Sequence, residues 1–119
     1  MTNKEIGKYG EEIAKEFLIK NKFKILECNF HYSKMAEIDI IAVKNNILHF
    51  VEVKTRSSNT FGTPLEAINK RKLSSIFSCA NFYLQQNKNK FDKFQIDAIG
   101  ITLNKDNPPE IQFLENISL

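Results

Sequence analysis

Two apolar-rich stretches, Glu37 to Val43 and Ile47 to Lys54, are parted only by Lys44-Asn45-Asn46. Asn tolerates a left-handed backbone better than most residues, so Asn45-Asn46 suits a two-residue hairpin turn that pairs Lys44 with Ile47. The register then follows: Ile40 lies opposite Val51, Asp39 opposite Glu52, Ile38 opposite Val53 and Glu37 opposite Lys54. Side chains alternate across a strand, so Glu37, Asp39, Glu52 and Lys54 share one face. Ile38, Ile40, Val51 and Val53 form an apolar set on the other, and their burial supports the same register. A β-bulge would shift it by one residue.

The flanking segments supply what such a hairpin must pack against. Thr2 and Glu5 have capping-box spacing, and Ile6, Gly10, Ile13, Ala14, Phe17 and Leu18 recur at helical intervals up to Asn21-Lys22. A strand is expected from Phe23 to about Phe30, followed by a polar loop, His31 to Lys34. Thr63-Pro64-Leu65-Glu66 reads as the start of a long helix ending near Gln86, its apolar stripe being Leu65, Ile68, Leu73, Ile76, Phe77, Ala80 and Leu84. Two more strands, Phe94 to Leu103 and Ile111 to Ile117, are parted by Asn107-Pro108-Pro109. The order is α-β-β-β-α-β-β in one domain, 1–119, and helices flanking a mixed sheet bury these faces most simply.

Composition removes several function classes. At 119 residues, 42% hydrophobic and 26% charged, the chain is neither disordered, collagen-like nor a coiled coil. No apolar run approaches the roughly 18 residues of a membrane span, and Met1 leads into Thr2-Asn3-Lys4-Glu5 without a secretory pattern, so a cytoplasmic protein is expected. A net charge of +3 permits a nucleic-acid partner without requiring one. Cys28 and Cys79 lack CxxC spacing, and His31 and His49 stand apart from them, which argues for reduced thiols and against zinc.

The chemistry lies in the hairpin. Directly opposed residues have Cβ atoms about 4.5–5.5 Å apart, so Asp39 and Glu52 would repel unless something offsets the charge. Magnesium takes such carboxylate oxygens together with water and substrate phosphate, and Lys54, two residues beyond Glu52, is positioned to orient a water or meet charge on a phosphate. A solvated hairpin face would carry similar charges, but Ile41 and Phe50 lie on the same face and keep it from being simply wet.

Glu37-Ile38-Asp39-Ile40-Ile41-Ala42 and Phe50-Val51-Glu52-Val53-Lys54-Thr55-Arg56 resemble the PD-(D/E)XK nuclease motif. Nearly the whole chain is similar to the YraN family of small bacterial endonuclease-like proteins, related in fold to archaeal Holliday junction resolvases. The likeness takes in Gly7 to Ala14, Phe61-Gly62-Thr63-Pro64, Glu66-Ala67, Lys72, Ile96-Asp97 and Leu114-Glu115-Asn116. It implies a restriction-endonuclease-like α/β fold, with Asp39 and Glu52 as ligands of magnesium or manganese, Lys54 as catalytic lysine and Glu11 as a supporting acid. Glu37 belongs to the family's Gly-Glu-Ile-Asp motif, in which Ala36 stands where the family has Gly.

Lys70, Arg71 and Lys72 form the densest basic run, and with Arg56, Lys54 and Lys34 they either contact phosphates or line a solvated face. Phe82-Tyr83 and Phe91 to Phe94 read as core or dimer surface, and Asp97 as a residue facing the site or capping a neighbour. Two functions follow. One is a metal-dependent endonuclease acting on branched or structured DNA, for which a homodimer would serve the cutting of two strands. The other is a non-catalytic nucleic-acid-binding or adaptor module on the same scaffold.

Overall fold

The structure, a computed structural model, describes residues 1–34, 36–57 and 62–117. Helix α1 spans Asn3–Lys20, and its capping box forms as expected: Thr2 Oγ1 accepts the Glu5 N–H at 3.1 Å and the Glu5 carboxylate accepts the Thr2 N–H at 2.9 Å. Strands β1 (Lys24–Ser33), β2 (Ala36–Lys44) and β3 (Ile47–Ser57) follow. A 3-10 turn, Pro64–Ala67, precedes helix α2 (Lys70–Gln86), and β4 (Lys93–Asn104) and β5 (Asn107–Leu114) complete the chain. The five strands lie in sequence order in one sheet, with β3 and β4 parallel and every other neighbouring pair antiparallel. This is the expected mixed sheet flanked by helices.

The two helices cover opposite faces. Ala14 and Leu18 of α1 pack with Phe23, Ile40, Val51, Val53, Ile99 and Ile101. Leu73, Ile76, Cys79, Ala80 and Tyr83 of α2 pack with Ile38, Ile41, Leu48, Phe50 and Ile96. α1 approaches β3 closely at Gly10, where a Cβ would come within 1.8 Å of Thr55 Oγ1. Among the described residues no helix is long and apolar enough to cross a membrane.

The central hairpin forms on the expected turn. Asn45 and Asn46 have φ of 53° and 63°, and the ladder runs from Lys44–Ile47 to Ile40–Val51. Four boundaries differ from the sequence expectation. His31 to Ser33 continue β1, because His31 pairs with Glu37 and Ser33 with Ala36; their polarity reflects an exposed edge strand rather than a loop. The long helix begins at Lys70, not Thr63. Ile68 takes an extended backbone and Asn69 caps α2 by accepting the Lys72 N–H at 2.9 Å, which leaves Leu65 and Ile68 outside the helix. Asn107, Pro108 and Pro109 belong to β5, where an edge position tolerates the missing prolyl N–H groups. The last strand ends at Leu114, after which the Ile117 N–H returns to the Ile96 carbonyl at 2.8 Å. Phe61, the polar Ser58-Asn59-Thr60 and Met35 lie outside the described residues.

Candidate metal and nucleic-acid site

The hairpin opens at the position the sequence singles out. Beyond Ile40–Val51 the paired register stops, while β3 keeps β4 as far as Ser57 and β2 keeps β1 to its own start. The two arms therefore diverge and leave the β2-facing edge of β3 open from Glu52 onward. Asp39 sits at the fork, where its Oδ2 accepts the Val53 N–H at 2.8 Å. A continuing ladder would have offered that N–H to the main chain of β2.

This opening corrects two expectations about the register. Glu37 does not face Lys54; it pairs across β1 with His31, whose Nε2 is 3.2 Å from Glu37 Oε1. Nor does Ile38 share a face with Ile40 and Val53. Ile38 packs on the α2 side, while Ile40, Val51 and Val53 pack on the α1 side. β2 thus switches faces at Asp39. The matching residue on β1 is Asn29, whose φ of 53° places it in the left-handed region and drops it from the ladder between Cys28–Ile40 and Phe30–Ile38. A local twist of both strands turns Asp39 toward Glu52.

The resulting electrostatics are those of crowded acids. Glu52 is only 2% exposed. Burial, and then the hydrogen bond and charge of the neighbouring Glu52, push the Asp39 carboxyl up to about 8, against the opposing pull of the Val53 N–H and Lys72. Glu11 reaches the fork from α1. Its carboxyl is pushed up to about 7, first by burial and then by the charges of Asp39 and Glu37, with an Asn29 hydrogen bond acting the other way. Asp39 and Glu11 thus resist ionising in this crowded, buried setting, a resistance that a cation would offset.

Glu52 Oε2 is the atom that most clearly wants a cation. Among the described residues it has no hydrogen-bond partner. Lys72 Nζ stands 2.9 Å away as its ion-pair partner. A buried carboxylate oxygen beside a second carboxylate, met only by a half-exposed ammonium, suits a hard divalent cation. Glu11 does not complete a tight three-ligand set: among the described residues the one trio with ligand atoms all within 4.8 Å is His49, Asp97 and Glu115. That trio includes two members of a hydrogen-bonded clasp. Asp97 Oδ1 accepts the Asn116 N–H at 2.8 Å and Gln95 Nε2 at 2.9 Å, while Oδ2 meets His49 Nδ1. Asp97 therefore anchors the C-terminal segment, the capping role, and does not face Glu52.

The basic residues divide. Lys54 and Arg56 lie at alternate positions beyond Glu52 on β3, both half-buried. Lys70 and Arg71 are exposed in the first turn of α2, whereas Lys72 turns inward to Glu52. Burial works against the Lys72 charge, but contact with Glu52 and the charges of Glu52, Asp39 and Glu37 hold its ammonium above the ordinary value. Ala36 has ordinary strand backbone and is buried in the α2-side core, so a glycine is not required there. Sequence reasoning did not single out Asn29. A lone Asn in an apolar strand is a weak signal of a bend, since Asn is one of the few residues that accept a left-handed φ.

Fold and site together define a class: a small α/β protein with a mixed sheet, whose central hairpin splays around an acidic cluster backed by a lysine. The profile of the Uncharacterised protein family UPF0102 matches residues 10–101, a span holding Glu11, Asp39, Glu52 and Lys72. The chain belongs to that family, which is YraN-like. Similar relatives include a UPF0102 protein of Dictyoglomus thermophilum, 45% identical over 105 residues covering 88% of each chain. Another, of Clostridium novyi, is 44% identical over 115 residues, 96% of this chain and 95% of its own.

Proposed function

We propose that this protein is a divalent-metal-dependent endonuclease of the PD-(D/E)XK kind, acting on DNA, with Asp39 and Glu52 as the ligands of magnesium or manganese. The observation that carries the reading is Glu52 Oε2: buried, beside a second carboxylate, and without a hydrogen-bond partner among the described residues. The resemblance of Glu37 to Ala42 and Phe50 to Arg56 to the nuclease motif supports it, because these residues converge at the fork. The metal, when bound, supplies Lewis acidity to a phosphate oxygen and an acidified water. Asp39 and Glu52 would offer carboxylate oxygens to that cation, Asp39 giving up its proton as it binds, and the Val53 N–H fixes the position of the Asp39 carboxyl. Lys54 follows Glu52 along β3 and meets the phosphate, while Glu11 holds a proton at the rim of the cluster. Glu37 borders the cluster and adds to its negative charge.

Arg56, Lys70 and Arg71 supply phosphate contacts without base readout, and Lys72, paired with Glu52, joins them only on leaving that carboxylate. Branched or structured DNA is the substrate class that the family resemblance implies, and a homodimer would place two such sites on two strands. Cleavage of linear duplex, single-strand, flap and four-way-junction DNA with magnesium or manganese tests the reading, with Glu52→Ala in parallel. Metal-dependent cutting that Glu52→Ala abolishes is the expected result; a mutant that cuts at the wild-type rate removes Glu52 from the mechanism. The second reading, a non-catalytic nucleic-acid-binding module, is favoured by one contact, the Lys72 ammonium that already compensates Glu52. It requires no metal binding.

A further inference from the structure

We propose that Lys72 is a built-in counter-ion of the carboxylate pair, which a divalent cation must displace in order to bind; the inference rests on the metal site proposed above. Three successive cations, Lys70, Arg71 and Lys72, occupy the first turn of α2. The positive end of a helix dipole is an unfavourable place for them, and no acidic residue stands in that turn to offset it. Lys70 and Arg71 remain in solvent. Lys72 alone turns inward, and its Nζ takes station 2.9 Å from Glu52 Oε2.

That oxygen is the one without a hydrogen-bond partner among the described residues, and so the one with a coordination position to give. Magnesium binds carboxylate oxygen at about 2.0–2.1 Å, so ammonium and metal on the same oxygen would crowd two positive charges together in a poorly solvated site. One must yield. The lysine is able to do so, because its side chain is 35% exposed while that of Glu52 is 2% exposed, and a flexible four-carbon stem lets the ammonium withdraw to water. The contact is a single ion pair between a half-exposed ammonium and a buried carboxylate, replaceable by a better-matched cation. Lys72 thus keeps the buried Glu52 carboxylate from standing uncompensated in the metal-free site, and its departure accompanies loading.

Calorimetry with manganese alone at pH 9 tests this on wild type, Lys72→Met and Lys72→Gln, the glutamine variant preserving length and polarity should the methionine variant fold poorly. Removing the competing charge should tighten manganese binding by on the order of tenfold. Thermal melts supply a readout that a merely structural lysine would not produce. Both variants should melt below wild type in EDTA, and saturating manganese should shrink or reverse the gap. Equal or weaker manganese binding by folded variants overturns the displacement while leaving the metal site intact. Binding by the variants but not by wild type supports it in its strongest form. Absence of manganese binding in all three proteins overturns the metal site and the displacement together.

Discussion

Asp39→Asn should stabilise the metal-free protein, and by an amount that grows with pH. Burial and Glu52 raise the Asp39 carboxyl from its ordinary 3.8 to about 8. The native state therefore keeps a proton that the unfolded chain releases. Stability from this group is fully present below pH 3.8 and is lost progressively up to about pH 8. At 1.36 kcal/mol per pK unit the nominal loss is about 6 kcal/mol, but Asp39 interacts directly with a neighbouring acid, so we expect about 2–4 kcal/mol. Asparagine keeps an acceptor for the Val53 N–H, which Asp39 receives at 2.8 Å, and removes the ionisation. Urea unfolding followed by circular dichroism in EDTA, at pH 4, 6 and 8.5, measures the difference. The two proteins should be nearly equal at pH 4 and diverge in favour of Asp39→Asn by pH 8.5. Magnesium should then raise wild type and leave the variant unmoved. A variant that parallels wild type at every pH would refute the idea that crowded acids destabilise this site.

Three further outcomes follow from the packing. Gly10→Ala should cost about 1–3 kcal/mol and reduce any metal-dependent activity, because the new Cβ would sit 1.8 Å from Thr55 Oγ1 and push Glu11 away with α1; denaturant melts and the cleavage assay check it. Asn46→Gly should raise stability by a few tenths of a kcal/mol, since Asn46 has φ 63° in a turn where glycine is favoured, and an unchanged or lowered melting temperature would count against the turn assignment. Asp97→Ala should cost about 3–5 kcal/mol by leaving the buried His49 and the Asn116 N–H without their acceptor. Manganese affinity should stay at the wild-type value, so a loss of metal binding in folded Asp97→Ala would tie the two clusters together.

What was legible in the sequence is what depends on local chemistry. Asn45-Asn46 allowed one turn, that turn allowed one register, and the ladder follows it from Lys44–Ile47 to Ile40–Val51. The capping box at Thr2 and Glu5 likewise needs only four residues to be read. Extrapolation failed one pair further on, at Asp39, because alternation assumes that both strands stay flat. The left-handed Asn29 on β1 breaks that assumption from a neighbouring strand. A pairwise reading of β2 and β3 contains no β1, so it sets Glu37 opposite Lys54, whereas the fold sets it opposite His31. The same limit applies to α2. The Thr63-Pro64 start is a valid helix signal, and the Glu66 carboxylate does accept the Thr63 N–H at 3.1 Å, yet the turn stops at Ala67.

The break before Lys70 has a consequence for the site. A helix running unbroken from Thr63 would have carried Lys70, Arg71 and Lys72 in its interior, as one exposed charged stretch. Restarting at Asn69 puts them at the first three helical positions, where the dipole is least hospitable to cations and Glu52 is near enough to receive one. An acidic fork and a basic helix start are each unfavourable alone, and each lessens the other's cost. Such mutual compensation has little advantage for stability over two neutral residues, since a buried ion pair seldom exceeds a well-packed apolar one. The proposed exchange gives the pair a use that stability does not: a site that held a divalent cation only part of the time would need a charge that stands in for it and can leave.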